Sequence, residues 1–278
     1  MIAREKQKRN RGEEKDIKDL LLMDPLIRPE ISIIILNYNG LEHIKACIES
    51  IEKNTEETYE IIIVDNASTD GSLEYLGSIK NTILIINKEN IGCPPARALA
   101  LPLAKGNFVV LLDNDTIVTE GWIAKFKAHC KRYPDIGILG PRSNYVSGAQ
   151  LVQNVPYTDV SGLDVFARKW ADDHAGLLIP THRLVGFCMF ISRAVIEKIG
   201  NIDAGFGKFG FEDDDYTWRT IIAGFKTAIA NDVFIHHSGG PQGQGNSGYN
   251  QRLLDAWEYY KKKWDLPVDL RYGVAYNI

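Results

Sequence analysis

Two aspartates separated by one residue, Asp113 and Asp115, form the acidic triplet Asp113-Asn114-Asp115 directly after an apolar run at 108–112. Two carboxylates at this spacing can share a hard divalent cation. Mn²⁺ or Mg²⁺ takes one or two carboxylates and keeps waters and substrate phosphates as its other ligands. Asp-x-Asp is common by chance, but its position at the end of a buried strand favours a metal site.

Four consecutive acids, Glu212 to Asp215, open a predicted helix at 212–224. Acids in a first turn suit the helix dipole, so a charged helix start is one interpretation. Four adjacent carboxylates also repel one another, which raises the pKa of at least one and lets it accept a proton near neutral pH. We therefore predict that this helix carries a general base.

Two histidines, His236 and His237, follow a predicted strand at 227–235. A histidine at a strand end could complete the metal shell that Asp115 begins. Adjacent side chains of a strand point to opposite faces, so at most one of the two reaches the site. The sequence leaves open which one.

Arg97 lies near the start of a predicted helix at 95–105. A guanidinium there could hold a diphosphate through two parallel hydrogen bonds, and the alternative is a surface arginine.

The segment from Gly205 to Gly210 fits the GxGxxG pattern of dinucleotide-binding proteins. That motif requires a first strand before it and free helix amides after it. Here no strong strand precedes the segment, and the acid cluster that follows would repel a pyrophosphate. We predict a loop beside the acidic helix instead of a nicotinamide site.

Elements that could position these residues alternate along the first half of the chain. Four short runs rich in Ile and Val are typical of strands in a parallel sheet, and they lie at 31–36, 61–64, 83–86 and 108–112. Helix-like segments lie between and after them, at 42–53, 72–79, 95–105 and 120–132. This order predicts an α/β fold, a Rossmann-like, mostly parallel open sheet flanked by helices.

Each of the four runs ends in a polar turn, and these turns lie at 37–40, 65–71, 87–92 and 113–116. Ligands of open parallel sheets bind beyond the carboxyl ends of the strands. Asn, Asp and Gly are also common in turns that bind nothing. That alternative explains one or two polar strand ends, but it explains four in succession less well. We expect a nucleotide-sized site at this edge.

The second half has a different character. Strands are predicted at 136–140, 184–192 and 227–235, and helices at 193–199 and about 251–264. The loops at 141–150 and 238–248, with Gly186, are the expected acceptor side.

The overall composition argues against several classes of protein. With 278 residues and a formal net charge of −4, the chain has no basic surface that would indicate nucleic-acid binding. Its four scattered cysteines suggest neither a disulfide framework nor a zinc knuckle. Without an apolar stretch of signal-peptide or membrane-spanning length, we predict a cytoplasmic protein, with peripheral membrane contact and homo-oligomerisation left open.

The order of these motifs resembles family 2 glycosyltransferases of GT-A fold, an inverting group that includes rhamnosyl-, hexosyl- and N-acetylhexosaminyl-transferases. The residues that carry the resemblance are Ser32 to Asn39, Val64 to Gly71, Asn90-Ile91-Gly92, Leu112 to Thr116, Gly121-Trp122, Val185-Gly186-Phe187, Phe211 to Tyr216 with Arg219, and His236-His237. Ala98 and Ala100 stand where Asn and Gly are common in the family, whereas Arg97 is kept.

The resemblance implies a role for each matching position. Asp213 would be the catalytic base, with Glu212 beside it. The metal ligands would be Asp115, Asp113 and one of His237 and His236. The donor nucleotide would be held by Asn37, Asn39, Asp65, Asn66, Ser68, Asn90, Arg97, Asp113 and Asn114, and the sugar and acceptor side would include Gly186, Phe187, Trp122 and Asp214.

We therefore predict a transferase that moves a sugar from a nucleotide-sugar, of UDP or dTDP type, to a carbohydrate, lipid-linked or protein hydroxyl, with Mn²⁺ or Mg²⁺ as cofactor. Two other classes stay open: a sugar-phosphate nucleotidyltransferase, which usually needs an early glycine-rich phosphate loop, and a non-catalytic nucleotide-sugar-binding module.

The predicted organisation has three parts. A charged arm at 1–29 precedes a catalytic domain at 30–240, which divides into a nucleotide-binding half (30–133) and an acceptor half (134–240). A flexible loop and a C-terminal amphipathic helix occupy 241–278.

Overall fold

A computed structural model describes residues 28–239 and 247–272 of the chain. Residues 1–27 of the predicted arm and residues 240–246 of the predicted flexible loop lie outside the described residues.

Most strands join one eight-stranded sheet in the order β3-β2-β1-β4-β8-β6-β9-β7. The strands are β1 (Ile31–Asn37), β2 (Tyr59–Asp65), β3 (Thr82–Ile86), β4 (Phe108–Asp113), β5 (Thr116–Ile117), β6 (Ile136–Arg142), β7 (Leu178–Pro180), β8 (Cys188–Ser192), β9 (Lys226–Phe234) and β10 (His236–His237). The short strands β5 and β10 pair with each other in an antiparallel ribbon.

The first four strands of the sheet run parallel, as predicted. The register sets Asn37 opposite Asp65 and Leu36 opposite Asp113, so the polar residues after the strands meet at one edge. The second half is mixed, because β8 runs antiparallel to both β4 and β6, while β9 runs parallel to β6.

Helices cover both faces of the sheet. They are α1 (Leu41–Asn54), α2 (Ser72–Ser78), α3 (Cys93–Ala100), α4 (Trp122–Arg132), α5 (Leu163–Asp173), α6 (Arg193–Ile199), α7 (Glu212–Ile222) and α8 (Ser247–Lys263). Alternate residues of β1 point to opposite faces: Ile33 packs with the helices α1 and α4, and Ile34 with α3, α6 and α7. Full burial of each such side chain contributes about 1.5–3 kcal/mol, which explains the continuous apolar runs.

Three sequence predictions need correction in the fold. The strand predicted to start at residue 184 starts at Cys188, because the amides of Val185 and Gly186 bond to side chains instead of a neighbouring strand. Strand β3 is the sheet edge, so its first four residues are only half-buried and Ile86 is exposed. Helix α5 and strand β7 were not predicted, since they lie in a polar region without a long apolar run.

The C-terminal helix α8 packs against the loop that leads into α7. Trp257 and Tyr260 bury themselves against Phe206 and Phe211 of that loop. The GxGxxG segment is therefore a loop beside the acidic helix, as predicted, and α8 covers it. Among the described helices, none combines the length and apolar character needed to cross a bilayer.

Candidate active site

The turn after β1 is tied to the turn after β2 by buried hydrogen bonds. The Nδ2 of Asn37 donates to Oδ2 of Asp65 at 3.0 Å, and both the hydroxyl and the amide of Ser68 donate to the same carboxylate, at 2.6 and 2.8 Å. The amide of Asn39 donates to the Ser68 hydroxyl at 2.9 Å. Asp65, a predicted nucleotide contact, is 0% exposed, and its carboxylate accepts from Asn37 and Ser68 of the two turns.

The turns after β2 and β3 are joined in the same way. Asn66 donates to the carbonyl of Gly92 at 3.2 Å and accepts from Asn87 at 2.8 Å. Asn90 accepts from the amide of Gly92 at 2.9 Å. A Cβ on Gly92 would lie 2.3 Å from Cα of Lys208, so only glycine permits this turn to touch the loop before α7.

Asn114 connects the acidic triplet to the first turn. Its Nδ2 donates to Oδ1 of Asn37 at 2.8 Å. A Cβ on Gly40 would lie 2.4 Å from this Nδ2, so the first turn approaches the triplet closely. The structure therefore brings together the predicted donor-side residues of all four strand ends.

Asp113, Asp115 and His237 offer one ligand atom each, and these atoms lie within 4.8 Å of one another. Within residues 28–239 and 247–272, this is the one such group of three or more His, Cys, Asp or Glu side chains. Two carboxylate oxygens and an imidazole nitrogen fit a divalent cation that keeps open positions for phosphate oxygens. The β5–β10 ribbon produces the cluster, because it sets His237 opposite Thr116, next to Asp115.

His237 and Asp115 are held as a pair, with Nε2 3.1 Å from Oδ1. Burial alone would raise the pKa of the Asp115 carboxyl, but the hydrogen bond and charge of His237 outweigh it and lower that pKa below its usual value. Burial lowers the pKa of the His237 imidazole, and the hydrogen bond and charge of Asp115 raise it to a net value above the usual one. The other ring nitrogen, Nδ1, lies 2.7 Å from the carbonyl of Tyr145, which fixes the ring orientation.

His236 does not join the group of Asp113, Asp115 and His237. Its ring points to the other side of β10, where Nδ1 lies 2.9 Å from the hydroxyl of Tyr157. Of the two histidines that the sequence left open, His237 is the one that lies beside Asp113 and Asp115, as expected when adjacent strand residues face opposite sides.

The four acids at the start of α7 have four different surroundings. Asp213 is half-buried, with Oδ2 accepting from the Gly186 amide at 2.7 Å and Oδ1 from the Asp214 amide at 2.9 Å. Among the described residues, no lysine or arginine forms an ion pair with it. Asp213 is therefore the acid of this group whose carboxylate accepts only from backbone amides among the described contacts.

Two of the other acids are neutralised by cations. Asp214 pairs with Nε of Arg183 at 3.0 Å. Burial, followed by the charge of Asp213, raises the pKa of Asp214 to about 7. Asp215 is fully buried and accepts from Arg219 at 2.9 Å and from Lys263 of α8 at 2.8 Å. The predicted pKa rise thus includes Asp214, with burial as its main cause and the neighbouring Asp213 charge second.

Glu212 is buried, and burial raises its pKa. Its Oε1 lies 3.1 Å from Nη1 of Arg97, and its Oε2 accepts from the Gly210 amide at 3.1 Å. Both carboxylate oxygens of Glu212, which was predicted beside the catalytic base, therefore contact protein groups.

Arg97 is neither a surface arginine nor an open diphosphate clamp. The residue is 3% exposed. Its Nη2 donates to Oδ1 of Asp113 at 2.9 Å and to the carbonyl of Gly186 at 2.7 Å, while Nη1 pairs with Glu212. The sequence missed this connection because Arg97, Asp113, Gly186 and Glu212 belong to four separate segments.

Two of the predicted acceptor-side residues, Trp122 and Phe187, are buried. Trp122 is 0% exposed, packs in the core beside Phe126, and donates from Nε1 to the hydroxyl of Thr55. Phe187 is also buried, but its ring stacks on that of His237 with centroids 5.1 Å apart. Phe187 therefore packs behind the group of Asp113, Asp115 and His237, whereas Trp122 packs in the core at the start of α4.

A match with a protein-family model decides the family. The model described as glycosyl transferase family 2 matches residues 32–200, well over half of the chain.

The chain belongs to glycosyl transferase family 2.

Relatives support this placement of the family 2 chain. It is 26% identical over 170 residues to the glycosyltransferase GlyG of Streptococcus pneumoniae, covering 56% of each protein. It is 40% identical over 87 residues to the UDP-Glc:alpha-D-GlcNAc-diphosphoundecaprenol beta-1,3-glucosyltransferase WfaP of Escherichia coli, covering 31% of this chain and 35% of that protein. The chain thus matches between about a third and just over half of these relatives' lengths.

A solved structure shares the fold of this family 2 glycosyl transferase. Crystalline GalNAc-T7 with UDP, GalNAc and Mn²⁺ superposes with a TM-score of 0.61 at 19% identity, covering 90% of this chain and 53% of that one. This likeness confirms the predicted GT-A-type fold. The family match ends at residue 200, so Asp213 and His237 lie beyond it.

Proposed function

We propose that this protein transfers a sugar from a nucleoside-diphosphate sugar to an acceptor hydroxyl, with inversion at the anomeric carbon and with a divalent cation as cofactor. One observation carries the proposal. The cluster of Asp113, Asp115 and His237 lies at the carboxyl edge of the parallel strands, and Arg97 and Gly186 connect it to Asp213.

Asp115, Asp113 and His237 are the residues that would hold the cation, which the donor set favours as Mn²⁺ or Mg²⁺. When bound, such an ion neutralises charge that develops on the diphosphate leaving group. His237 reaches the cluster with its ring fixed by the Tyr145 carbonyl and by stacking on Phe187. These two contacts hold the imidazole in one orientation before any ligand arrives.

Asp213 is the proposed general base. Two backbone amides fix its carboxylate, and the absence of a cationic partner among the described residues leaves it free to accept the proton of an acceptor hydroxyl. The oxygen of that hydroxyl then attacks the anomeric carbon from the face opposite the leaving group. A single displacement of this kind inverts the anomeric configuration.

The turns that carry Asn37, Asn39, Asn66, Asn90 and Asn114 are proposed to form the nucleotide side. Asp65 and Ser68 would act from behind these turns, by holding Asn37 and Asn39. We propose a UDP-sugar as the donor to examine first, because WfaP uses UDP-Glc and the GalNAc-T7 structure contains UDP. Residues 30–133 would thus bind the donor and residues 134–240 the acceptor.

A panel of UDP-, dTDP- and GDP-sugars with Mn²⁺ or Mg²⁺ tests the proposal. We expect metal-dependent transfer, or slow hydrolysis when no acceptor is present, and an inverted anomer by NMR. A GlcNAc-diphospho-lipid is the first acceptor to supply, since the E. coli relative is named for one. Pyrophosphate release from a sugar phosphate and a nucleoside triphosphate would instead indicate a nucleotidyltransferase. Binding without turnover would indicate a non-catalytic module.

A further inference from the structure

Arg97 joins three segments of the candidate active site that are distant in sequence. Its guanidinium bonds to Asp113 at the end of β4, to the carbonyl of Gly186 before β8, and to Glu212 at the start of α7. An arginine can hold all three because its planar fork presents several donors in fixed directions, whereas a lysine is a single flexible point charge.

The guanidinium has little room to turn toward another ligand. The Arg97 side chain is 4% exposed, and both terminal nitrogens already donate to protein oxygens. A Cβ on Gly186 would lie 2.6 Å from Nη1 of Arg97, so Gly186 is packed directly against the guanidinium. Because protein oxygens already pair with this buried charge, we assign the guanidinium to the framework that holds the site together.

Asp213 is connected to Arg97 in two ways, through the Gly186 peptide and through the preceding residue Glu212. The Gly186 carbonyl accepts from Arg97, and the Gly186 amide donates to Oδ2 of Asp213 at 2.7 Å. Glu212, whose carboxylate pairs with Arg97, directly precedes Asp213 in the chain. Movement of the guanidinium would therefore move the carboxylate of Asp213 relative to Asp113.

We propose that Arg97 is a positioning residue, which fixes the base Asp213 relative to the metal-binding carboxylate Asp113 through the Gly186 peptide and Glu212. The inference rests on the proposed function of Asp213. It assigns to Arg97 no contact with the donor diphosphate.

The first test is Arg97→Lys, which keeps the charge and removes the fork. Because a misplacement of about 1 Å can cost about 100-fold in rate, we expect kcat to fall by about that factor. The KM for the donor and the Kd of a nucleoside diphosphate with Mn²⁺ should stay within about threefold, as expected when an interaction matters only in the transition state. A loss of nucleotide affinity as large as the loss of kcat, or an unchanged kcat, would overturn the proposal.

Gly186→Ala moves the same groups without changing any charge. The added methyl would lie 2.6 Å from Nη1 of Arg97 and 3.3 Å from Oδ2 of Asp213, so we expect a similar fall in kcat with nucleotide binding retained. Gly77→Ala is the matched control, since a Cβ at this position in α2 meets nothing within 4 Å. Full activity in Gly186→Ala contradicts the proposal, and this variant carries the kinetic test if Arg97→Lys does not fold.

Hydrogen exchange gives a readout that needs no turnover. In Arg97→Lys the Gly186 amide, which donates to Asp213, should lose protection by about tenfold or more, as expected when a local opening becomes easier. The neighbouring Val185 amide donates to Oε1 of Gln150 at 2.8 Å and should keep its protection, which makes it the internal control. Unchanged protection at Gly186 overturns the inference even in a chain that transfers no sugar, so the two failures are distinguishable.

Discussion

At the scale of single residues, the four acids that open α7 show how much the surroundings decide. The carboxylates of Glu212, Asp214 and Asp215 are paired with arginine or lysine, and that of Asp213 is held by two amides. Similar side chains in consecutive positions therefore have different tasks.

Replacement of Asp213 by asparagine removes the proposed base with almost no change in shape. We expect kcat to fall by about 100- to 10,000-fold, the usual range for loss of general base catalysis, while nucleotide binding with Mn²⁺ persists. Steady-state kinetics and calorimetric titration measure the two quantities. Asp172→Asn, at an exposed position of α5, is the control for loss of one negative charge. Full activity in Asp213→Asn would exclude Asp213 as the base.

Replacement of Asp115 by asparagine, or of His237 by alanine, removes one proposed metal ligand. In the wild type, we expect UDP to raise the melting temperature more with Mn²⁺ than without it, because a ligand bound only by the folded state adds stability. That difference should disappear in Asp115→Asn and shrink in His237→Ala. His236→Ala is the matched control, since its ring faces Tyr157 instead of the cluster. Equal loss in both histidine variants would contradict the ligand assignment.

The sequence predicted which residues lie at the candidate site better than it predicted which residues they contact. Asp113, Asp115 and Asp213 follow from strand ends and a helix start, which are local features. The burial of Arg97 and Asp65 depends on contacts between segments far apart in the chain, so no local pattern could predict it. Trp122 was misplaced for the same reason, because a residue next to a motif can face the core.

At the scale of elements, α8 acts on α7 through the loop between α6 and α7. Its aromatic side chains cover Phe206 and Phe211, and Lys263 reaches Asp203 in the loop and Asp215 in α7, at 2.6 and 2.8 Å. Phe211 itself has a φ of 65°, an unusual value for a bulky residue. The C-terminal helix thus stabilises the segment that leads into α7, the helix that carries Asp213.

Trp257→Ala tests this support. Removing a buried tryptophan costs about 3–5 kcal/mol of folding free energy, so we expect a clear drop in melting temperature together with reduced kcat. Leu254→Ala lies on the same helix at 46% exposure and should leave both values close to wild type. A Trp257→Ala variant with normal melting and normal kcat would show that α8 does not support the site. Circular dichroism melts and the transferase assay provide the data.

At the scale of the whole molecule, the buried pair of His129 and Asp232 links α4 to β9 away from the candidate site. Oδ1 of Asp232 lies 2.7 Å from Nε2 of His129, and Oδ2 accepts from the Gly176 amide at 2.9 Å. Burial would raise the pKa of Asp232, but these two hydrogen bonds outweigh it and lower the pKa below its usual value. The carboxylate form is therefore the one that the folded state favours.

The sign of the pH dependence follows from that lowered pKa. The stabilisation is complete above the unfolded pKa of an aspartate, about 3.9, and is lost as pH falls through the lower folded value. We expect the melting temperature of the wild type to fall more steeply below about pH 4 than that of Asp232→Asn, which has no such proton to gain. Thermal melts of both proteins between neutral and acidic pH measure this. Parallel curves would contradict the assignment to Asp232.

The antiparallel strand β8 has a consequence for how the chain reaches its folded state. It lies between β4 and β6, so the outer edge of the first parallel strands stays unpaired until residues 188–192 leave the ribosome. An unpaired apolar edge invites pairing with other chains. A fragment that ends at residue 133 would hold every predicted nucleotide-binding residue and still expose β4. The predicted nucleotide-binding residues thus lie in the first half of the chain, but pairing of the exposed edge of β4 depends on a strand that is translated much later.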